Sequence, residues 1–211
     1  ALTGSIGAGK SLISSRLEKQ GVVVLDSDIL AREAVQPGQI ALKEIVAKFG
    51  DSILETDGSL SRKRLGDIVF SDATARNELE QILHPRIRAM MLEKIDSNLK
   101  NGAPPLGIVL AVIPLLFESR AKHPDFDLVV VVSASRDLCI SRVMQRDKCT
   151  RESAELRLNA QLPTAEKELR ADVVLSNTRD ISSLDSEVNT LLKRLVKLRD
   201  AKRALVSNTA V

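Results

Sequence analysis

The sequence predicts an α/β protein in which a parallel sheet is covered by helices. A glycine-rich loop at 4–11 stands between a short strand and a helix. Apolar strand-like runs then alternate with helical patterns along the chain, which is typical of a parallel sheet. The exception is the stretch 29–100, which has helical patterns but no convincing strand. These observations indicate one α/β core with a helical insertion.

The strands are expected where short apolar runs occur between helical patterns. Runs of this length without polar alternation favour strands that are buried on both faces of a sheet. The expected strands lie at 1–3, 22–25, 108–113, 128–132 and 172–175.

The helices are expected at 10–20, in several pieces within 29–100, and at the end of the chain. Pro85 lies inside one helical pattern, so that helix should break or kink near His84, because proline lacks an N–H and clashes with the preceding turn. Residues 101–105 have a loop composition. The last helix has an apolar stripe from Ile181 to Leu198. Its pattern fades beyond Arg199, and 207–211 are expected to fray.

Composition excludes several classes of protein. The 31 basic and 28 acidic residues leave a net charge of +3, and the densest basic run, at 193–203, is expected on a solvated helix face, so no nucleic acid partner is predicted. No apolar stretch approaches the roughly 20 residues that span a bilayer. Cys139 and Cys149 are expected to be free thiols. We therefore expect a soluble, cytoplasmic protein.

The loop from Gly4 to Ser11 has the full pattern G-x-x-x-x-G-K-[ST]. Its glycines let the backbone wrap a phosphate group with its N–H groups pointing inward, and the next helix adds its positive N-terminal end. Lys10 can reach the β and γ phosphates, and the Ser11 hydroxyl can bind Mg²⁺. The pattern predicts a nucleoside triphosphate site.

Other nucleotide-binding classes lack their signatures here. There is no Asn-Lys-x-Asp segment of a GTPase and no Leu-Ser-Gly-Gly-type segment of an ABC ATPase. The strand 108–113 ends in Pro114 rather than in the carboxylate of a motor ATPase. A compact kinase for metabolites or nucleotides remains.

Two aspartates follow the second predicted strand, in the segment Asp26-Ser27-Asp28. Ligands of an open parallel sheet bind beyond the carboxyl ends of its strands. A carboxylate there could accept the proton of a phosphoryl acceptor hydroxyl. Alternatively, Asp28 is only the N-cap of a helix that starts at Ile29. Position alone leaves both interpretations open.

An ordered series of motifs along nearly the whole chain resembles the dephospho-coenzyme A kinase family. Leu-His-Pro and Pro-Leu-Leu-Phe-Glu, together with the glycine-rich loop, are rarely found outside it. The matching segments are 2–11, Asp26-Ser27-Asp28, Ala31-Arg32, Phe49-Gly50, Asp57-Gly58 with Leu60, Arg62 and Leu65, Val69-Phe70, Leu83-His84-Pro85, 114–118, Gln145-Arg146-Asp147, Gln161, and Ala171-Asp172 with Asn177.

The resemblance implies a three-layer P-loop kinase fold with a parallel sheet, a helical acceptor-binding insertion and a lid. It places the core at 1–28, 106–146 and 166–211, the acceptor-binding subdomain at 29–105 and the lid at 147–165. It also implies transfer of the γ-phosphoryl of ATP to the ribose 3′-hydroxyl of dephospho-coenzyme A, with Mg²⁺ as cofactor. The protein would be a monomer or a weak homo-oligomer.

The resemblance also implies roles for individual residues. Asp28 would be the catalytic base, with Lys10 and Arg146 as further catalytic residues. The acceptor pocket would be lined by Arg32, His84, Pro114, Leu115 and Leu116, and ATP would be bound by Gly7, Ala8, Gly9, Lys10, Ser11, Leu12, Arg142 and Asn177.

Three of these residues have a simpler alternative. His84 could be a hydrogen-bonded structural histidine. Arg142 and Arg146, four residues apart and so on one helix face, could neutralise charge on the transferred phosphoryl group. They could also belong to an ordinary salt-bridged surface helix.

The chain departs from the family pattern at three positions. Leu12 replaces a second hydroxyl residue, Ser5 a common glycine, and Val112 a frequent aspartate. Two other functions stay open: a kinase for another small acceptor, such as a nucleoside or a polyol, and a regulatory protein that binds ATP without transferring phosphate. The aspartate pair and the lid arginine argue against the second.

Overall fold

The structure is a computed structural model that describes residues 1–100, 105–118, 126–178 and 181–209. Its helices and strands occur in the following order: β1 Leu2–Gly4, α1 Lys10–Lys19, β2 Val23–Asp26, α2 Ser27–Ala34, α3 Ile40–Phe49, a 3₁₀ turn Asp51–Ile53, α4 Arg62–Ser71, α5 Ala73–Lys100, β3 Val109–Val112, β4 Val130–Ser133, α6 Arg136–Asp147, α7 Arg151–Asn159, α8 Thr164–Leu169, β5 Val173–Ser176 and α9 Ile181–Thr209. The predicted α/β class is confirmed.

The five strands form one sheet in the order β2-β3-β1-β4-β5. The pairs β1–β3, β1–β4 and β4–β5 are parallel, with Leu2 opposite both Val112 and Val130. The central position of β1 places the loop after it, 5–9, at the carboxyl edge of the sheet. This edge is where open α/β sheets bind their ligands.

The described residues form two compact units. Unit 1 contains Ala1–Leu25, the described residues from 95 to 118 and those from 126 onward; unit 2 contains Asp26–Lys94. The core of unit 1 packs strand residues such as Leu2 and Val132 against apolar residues of α1 and α9. Unit 2 has its own smaller core around Val35, Ile45, Ile53 and Leu65.

Two strands are less buried than their apolar sequences predicted. The apolar run 22–25 predicts a strand that is buried on both faces. Val23 and Val24 are only half-buried, because β2 is an edge strand. β5 is the other edge, and there Val174 is 45% exposed. An apolar run therefore does not distinguish a central strand from an edge strand.

Of the break or kink predicted near His84, the break is wrong, because α5 continues through Pro85 from Ala73 to Lys100. Proline in a helix interior costs roughly 3 kcal/mol, so neighbouring contacts must stabilise the helix. Leu79, Ile82 and Leu83 pack against the core of unit 2. Arg86, one residue after the proline, forms an ion pair with Glu44 of α3 at 2.6 Å.

Two further expectations concern loops and chain ends. The expected fraying at 207–211 is wrong for 207–209, since α9 continues to Thr209, and 210–211 lie outside the described residues. Of the expected loop 101–105, residues 101–104 lie outside the described residues.

Cys139 and Cys149 are both free thiols, as predicted. In the described part of the chain, no helix is long and apolar enough to cross a membrane.

Candidate active site

The loop after β1 forms a tight cradle that only glycine can complete. Gly7 and Gly9 have φ values of 78° and 101°, in the left-handed region that side chains rarely adopt. A Cβ on Gly7 would lie 2.5 Å from the Cys139 carbonyl oxygen, and one on Gly9 would lie 2.1 Å from Asn177 Nδ2. Close packing against α6 and Asn177 therefore requires both glycines.

The cradle leads directly into α1, whose N-terminal end suits an anion. Gly9 is the N-cap, so no side chain accepts a hydrogen bond from the first N–H groups of the helix, and the first turn contains no acidic residue. Arg16 and Lys19 lie in the last turn, where they oppose the negative end of the helix dipole. Ser11 is exposed in the first turn, so its hydroxyl is a hard oxygen ligand of the kind that Mg²⁺ prefers.

Lys10 folds back onto the loop that precedes it. Its Nζ donates hydrogen bonds to the carbonyl oxygens of Gly4, at 2.8 Å, and Ser5, at 3.1 Å. These bonds hold the ammonium group beside the loop that would cradle phosphate. A phosphate would replace neutral carbonyl acceptors with a charged one, which makes a stronger hydrogen bond.

Arg142 and Asn177 brace the loop through its carbonyl oxygens. Asn177, which is buried, donates from Nδ2 to Ala8 O at 2.7 Å. Arg142 Nη1 donates to Gly7 O at 3.3 Å and to Ala8 O at 3.4 Å, and its Nη2 donates to Asn177 O and Oδ1. The brace keeps these carbonyls directed at α6 and Asn177. Among the loop's N–H groups, that of Ala8 donates to Ser5 O at 3.1 Å and that of Ile6 to Gln161 Oε1 at 2.8 Å.

The three departures from the family pattern have different surroundings. Ser5 is buried, and its hydroxyl lies 3.1 Å from the Thr164 hydroxyl in a hydrogen bond. Val112 is buried in β3 and belongs to the apolar core. Leu12 lies in the first turn of α1 with its side chain partly exposed, and its backbone N–H donates to Gly9 O at 3.1 Å. Because leucine has no hydroxyl group, a side-chain hydrogen bond from this position to a phosphate is lost.

Arg146 lies at the end of α6 and pairs with its neighbour Asp147. Its Nε and Nη2 donate to the two carboxylate oxygens at 2.7 and 3.0 Å, and its side chain is 61% exposed. Arg157 donates to the same carboxylate at 2.7 Å. The Arg146 hydrogen bonds are the main reason that the pKa of Asp147 is lowered. This is the salt-bridged arrangement that the simpler alternative expected, and a catalytic role for Arg146 stays a prediction.

The turn after β3 carries the predicted acceptor residues of unit 1. Thr3 Oγ1 donates to Pro114 O at 3.3 Å, which fixes the start of the turn to β1. Leu116 is buried, whereas Leu115 is exposed. Of the three, Leu115 therefore presents the most apolar surface.

In unit 2, Asp26 is the last residue of β2 and Asp28 lies in the helix that follows. Asp26 is the N-cap of α2, and its Oδ1 accepts a hydrogen bond from Asp28 N at 2.8 Å. The helix starts at Ser27, so the interpretation of Asp28 as the cap of a helix starting at Ile29 is wrong. Asp28 lies in the first turn and is exposed. A carboxylate there also benefits from the positive helix end.

The remaining acceptor residues of unit 2 lie on α2 and α5. Arg32 is exposed and follows Asp28 by four residues, so both lie on one face of α2. His84 is half-buried on α5. The Arg86–Glu44 ion pair, whose hydrogen bond raises the pKa of Arg86, connects α5 to α3 next to His84.

Two residues to which the sequence assigned no role, Gln161 and Lys167, have contacts with distant parts of the chain. Gln161 was noted only as part of the resemblance, yet its Oε1 accepts a hydrogen bond from Ile6 N at 2.8 Å. Lys167, between Glu166 and Glu168, has the sequence context of a surface residue but is fully buried, with its Nζ 2.6 Å from Glu118 Oε1. No local pattern indicates either contact, because the partners are far apart in the chain.

Comparisons with known proteins agree with this geometry. A family model described as "Dephospho-CoA kinase" matches residues 1–183. The chain is 40% identical over 196 residues to a dephospho-CoA kinase of Listeria monocytogenes, covering 93% of this chain and 96% of that one. It is 43% identical over 190 residues to that of Geobacter sulfurreducens, covering 90% and 94%. A solved dephospho-CoA kinase from Campylobacter jejuni superposes with a TM-score of 0.67 at 30% identity, covering 93% and 96%.

Proposed function

Because this chain belongs to the dephospho-CoA kinase family, we propose that it transfers the γ-phosphoryl group of Mg-ATP to the ribose 3′-hydroxyl of dephospho-coenzyme A. The products are coenzyme A and ADP, and the reaction is the final step of coenzyme A biosynthesis. The observation that carries the proposal is the braced glycine-rich loop, which leads into the acid-free N-terminus of α1 and holds Lys10 beside it.

The loop would bind the triphosphate. Its backbone N–H groups and the N-terminal end of α1 would face the β and γ phosphates, and Lys10 would exchange the carbonyls of Gly4 and Ser5 for phosphate oxygens. Such donors are most effective where negative charge grows in the transition state. Arg142 and Asn177 would act through the loop, since the hydrogen bonds described for their side chains are to its carbonyl oxygens and between the two residues.

Magnesium fits the donors that this loop offers. The exposed Ser11 hydroxyl would hold the ion together with phosphate oxygens. When bound, Mg²⁺ would supply positive charge against the transferred phosphoryl group.

Asp28 would act on the acceptor. As the 3′-oxygen forms its bond to the γ-phosphorus, the bond between that phosphorus and the β–γ bridging oxygen breaks, and the hydroxyl proton moves to the Asp28 carboxylate. By the family resemblance, Arg32 and His84 would contribute to acceptor binding, as would Pro114, Leu115 and Leu116. Arg146 would leave Asp147 and pair with the transferred phosphoryl group, which an exposed, solvated ion pair permits at little cost.

The experiment that tests this function incubates the protein with Mg-ATP and single acceptors, followed by mass spectrometry. Dephospho-coenzyme A should gain one phosphoryl group. Coenzyme A, whose 3′-hydroxyl is already esterified, is the matched control and should gain none. Faster modification of a nucleoside or of shikimate than of dephospho-coenzyme A would favour the alternative small-acceptor kinase.

A further inference from the structure

Residues 161–167 make hydrogen bonds to the start of the glycine-rich loop. They follow α7 and include most of α8. Ile6 N donates to Gln161 Oε1 at 2.8 Å. Two residues beyond Leu162, the Thr164 hydroxyl shares a hydrogen bond of 3.1 Å with Ser5. Two adjacent loop residues are thus bonded to a segment more than 150 residues later in the chain.

Glu118, which lies outside this segment, contacts it at Leu162 and at Lys167. Lys167 is fully buried, and its Nζ lies 2.6 Å from Glu118 Oε1 as an ion pair. The same oxygen accepts a hydrogen bond from Leu162 N at 3.1 Å. Burying an ion pair is weak as a source of stability, because desolvation opposes the attraction. Its clearer consequence here is positional, since it fixes the backbone next to Gln161.

The preceding part of the lid segment is held in a different way. In α7, Ala154 packs against Ile140 and Val143 of α6. The polar contacts of this helix, such as Arg151 with Asp137, are exposed. Exposed ion pairs contribute at most about 1 kcal/mol each, so the apolar packing against α6 is the main attachment of α7.

We propose that Gln161 is a positioning residue for ATP binding, which fixes the first turn of the glycine-rich loop. The proposal deepens the kinase function, on which it rests. Without its acceptor, the Ile6 N–H would lose a partner and the loop would sample other conformations. ATP would then bind to a loop that is ordered for a smaller fraction of the time, which weakens apparent affinity.

Two substitutions and one control separate this role from a general effect on folding. Gln161→Met removes the acceptor at similar length, and Gln161→Glu keeps an acceptor oxygen in its place. Gln20→Met makes the same chemical change at an exposed site at the end of α1. Two measurements need no turnover: hydrogen exchange of a peptide that contains Ile6, and calorimetric titration with a non-hydrolysable ATP analogue. They therefore report on the loop even if dephospho-coenzyme A is not the substrate that receives the phosphoryl group.

For Gln161→Met we expect exchange at Ile6 and KM for ATP to rise by about tenfold, the scale of a lost hydrogen bond. KM for dephospho-coenzyme A and exchange in α9 should stay unchanged. Gln161→Glu should keep Ile6 protected, and its negative charge should weaken binding of the ATP analogue. Wild-type protection of Ile6 in Gln161→Met, or faster exchange throughout the chain, would overturn the proposal.

Discussion

Asp26 Oδ1 accepts a hydrogen bond of 2.8 Å from the backbone N–H of Asp28, so one aspartate fixes the position of the other. Capping engages Asp26 with the first turn of α2, while Asp28 is exposed in that turn. Residues two apart in a strand lie on the same face, so strand alternation does not distinguish the two aspartates. The helix cap does, because Asp26 is the N-cap and Asp28 lies in the first turn.

We predict that Asp28→Asn lowers kcat by roughly 10²-fold or more, the scale of a positioned general base, with ATP affinity little changed. Asparagine keeps the shape of the side chain but does not accept a proton. Asp26→Asn is the matched control, because its amide oxygen can still accept the bond from Asp28 N, and its kcat should stay within a few-fold of wild type. Steady-state kinetics of both variants would reverse the assignment if only Asp26→Asn were inactive.

The capping role of Asp26 has its own signature in stability. Asp26→Ala removes the acceptor and should lower the free energy of unfolding by about 1 kcal/mol, whereas Asp26→Asn should leave it nearly unchanged. Chemical denaturation measures both. Equal loss of stability in the two variants would show that the carboxylate charge, rather than the cap, matters at this position.

Lys10→Ala should reduce turnover by orders of magnitude, because the ammonium charge would act where the transition state is most anionic. The substitution removes hydrogen bonds to the carbonyls of Gly4 and Ser5. Lys19→Ala, at an exposed position of the same helix, is the control. Near-normal kcat in Lys10→Ala would remove the glycine-rich loop from the mechanism.

Removing the side-chain amide of Asn177, which braces the loop, should lower stability more than removing that of an exposed asparagine. Asn177→Ala leaves Ala8 O without its 2.7 Å donor and removes an acceptor from Arg142, so unfolding should become easier by about 1–3 kcal/mol. KM for ATP should rise as well. Asn159→Ala, which removes the exposed acceptor of Arg136, should change stability by less than about 0.5 kcal/mol. Similar effects of both substitutions in thermal denaturation would argue against a brace.

The lid should close over bound substrates. Closure excludes water and prevents hydrolysis of ATP, so a bisubstrate mimic should slow hydrogen exchange in α7, Arg151–Asn159. Residues 161–167 should already be protected without ligand and should change less. Unchanged exchange in α7, with binding of the mimic verified by calorimetry, would contradict a lid in this segment.

The sequence predicted the parts of the site that depend on local chemistry. The glycines, Lys10 and Ser11 lie within eight residues, and the pattern alone indicates their loop. Long-range partners could not be predicted, because Lys167 next to two glutamates does not differ from a surface lysine until Glu118 is placed beside it. The same limit explains Pro85, where tertiary packing and the Arg86–Glu44 pair maintain a helix that local rules would end.

The most direct test of phosphoryl transfer uses ATP whose terminal γ-oxygens carry ¹⁸O, with Mg²⁺ and dephospho-coenzyme A. Direct transfer predicts coenzyme A that bears all the labelled terminal oxygens on its 3′-phosphate, with fragmentation by tandem mass spectrometry placing the label on the ribose. Labelled inorganic phosphate without labelled coenzyme A would contradict the account, because it would show a protein that binds and hydrolyses ATP but does not phosphorylate this acceptor.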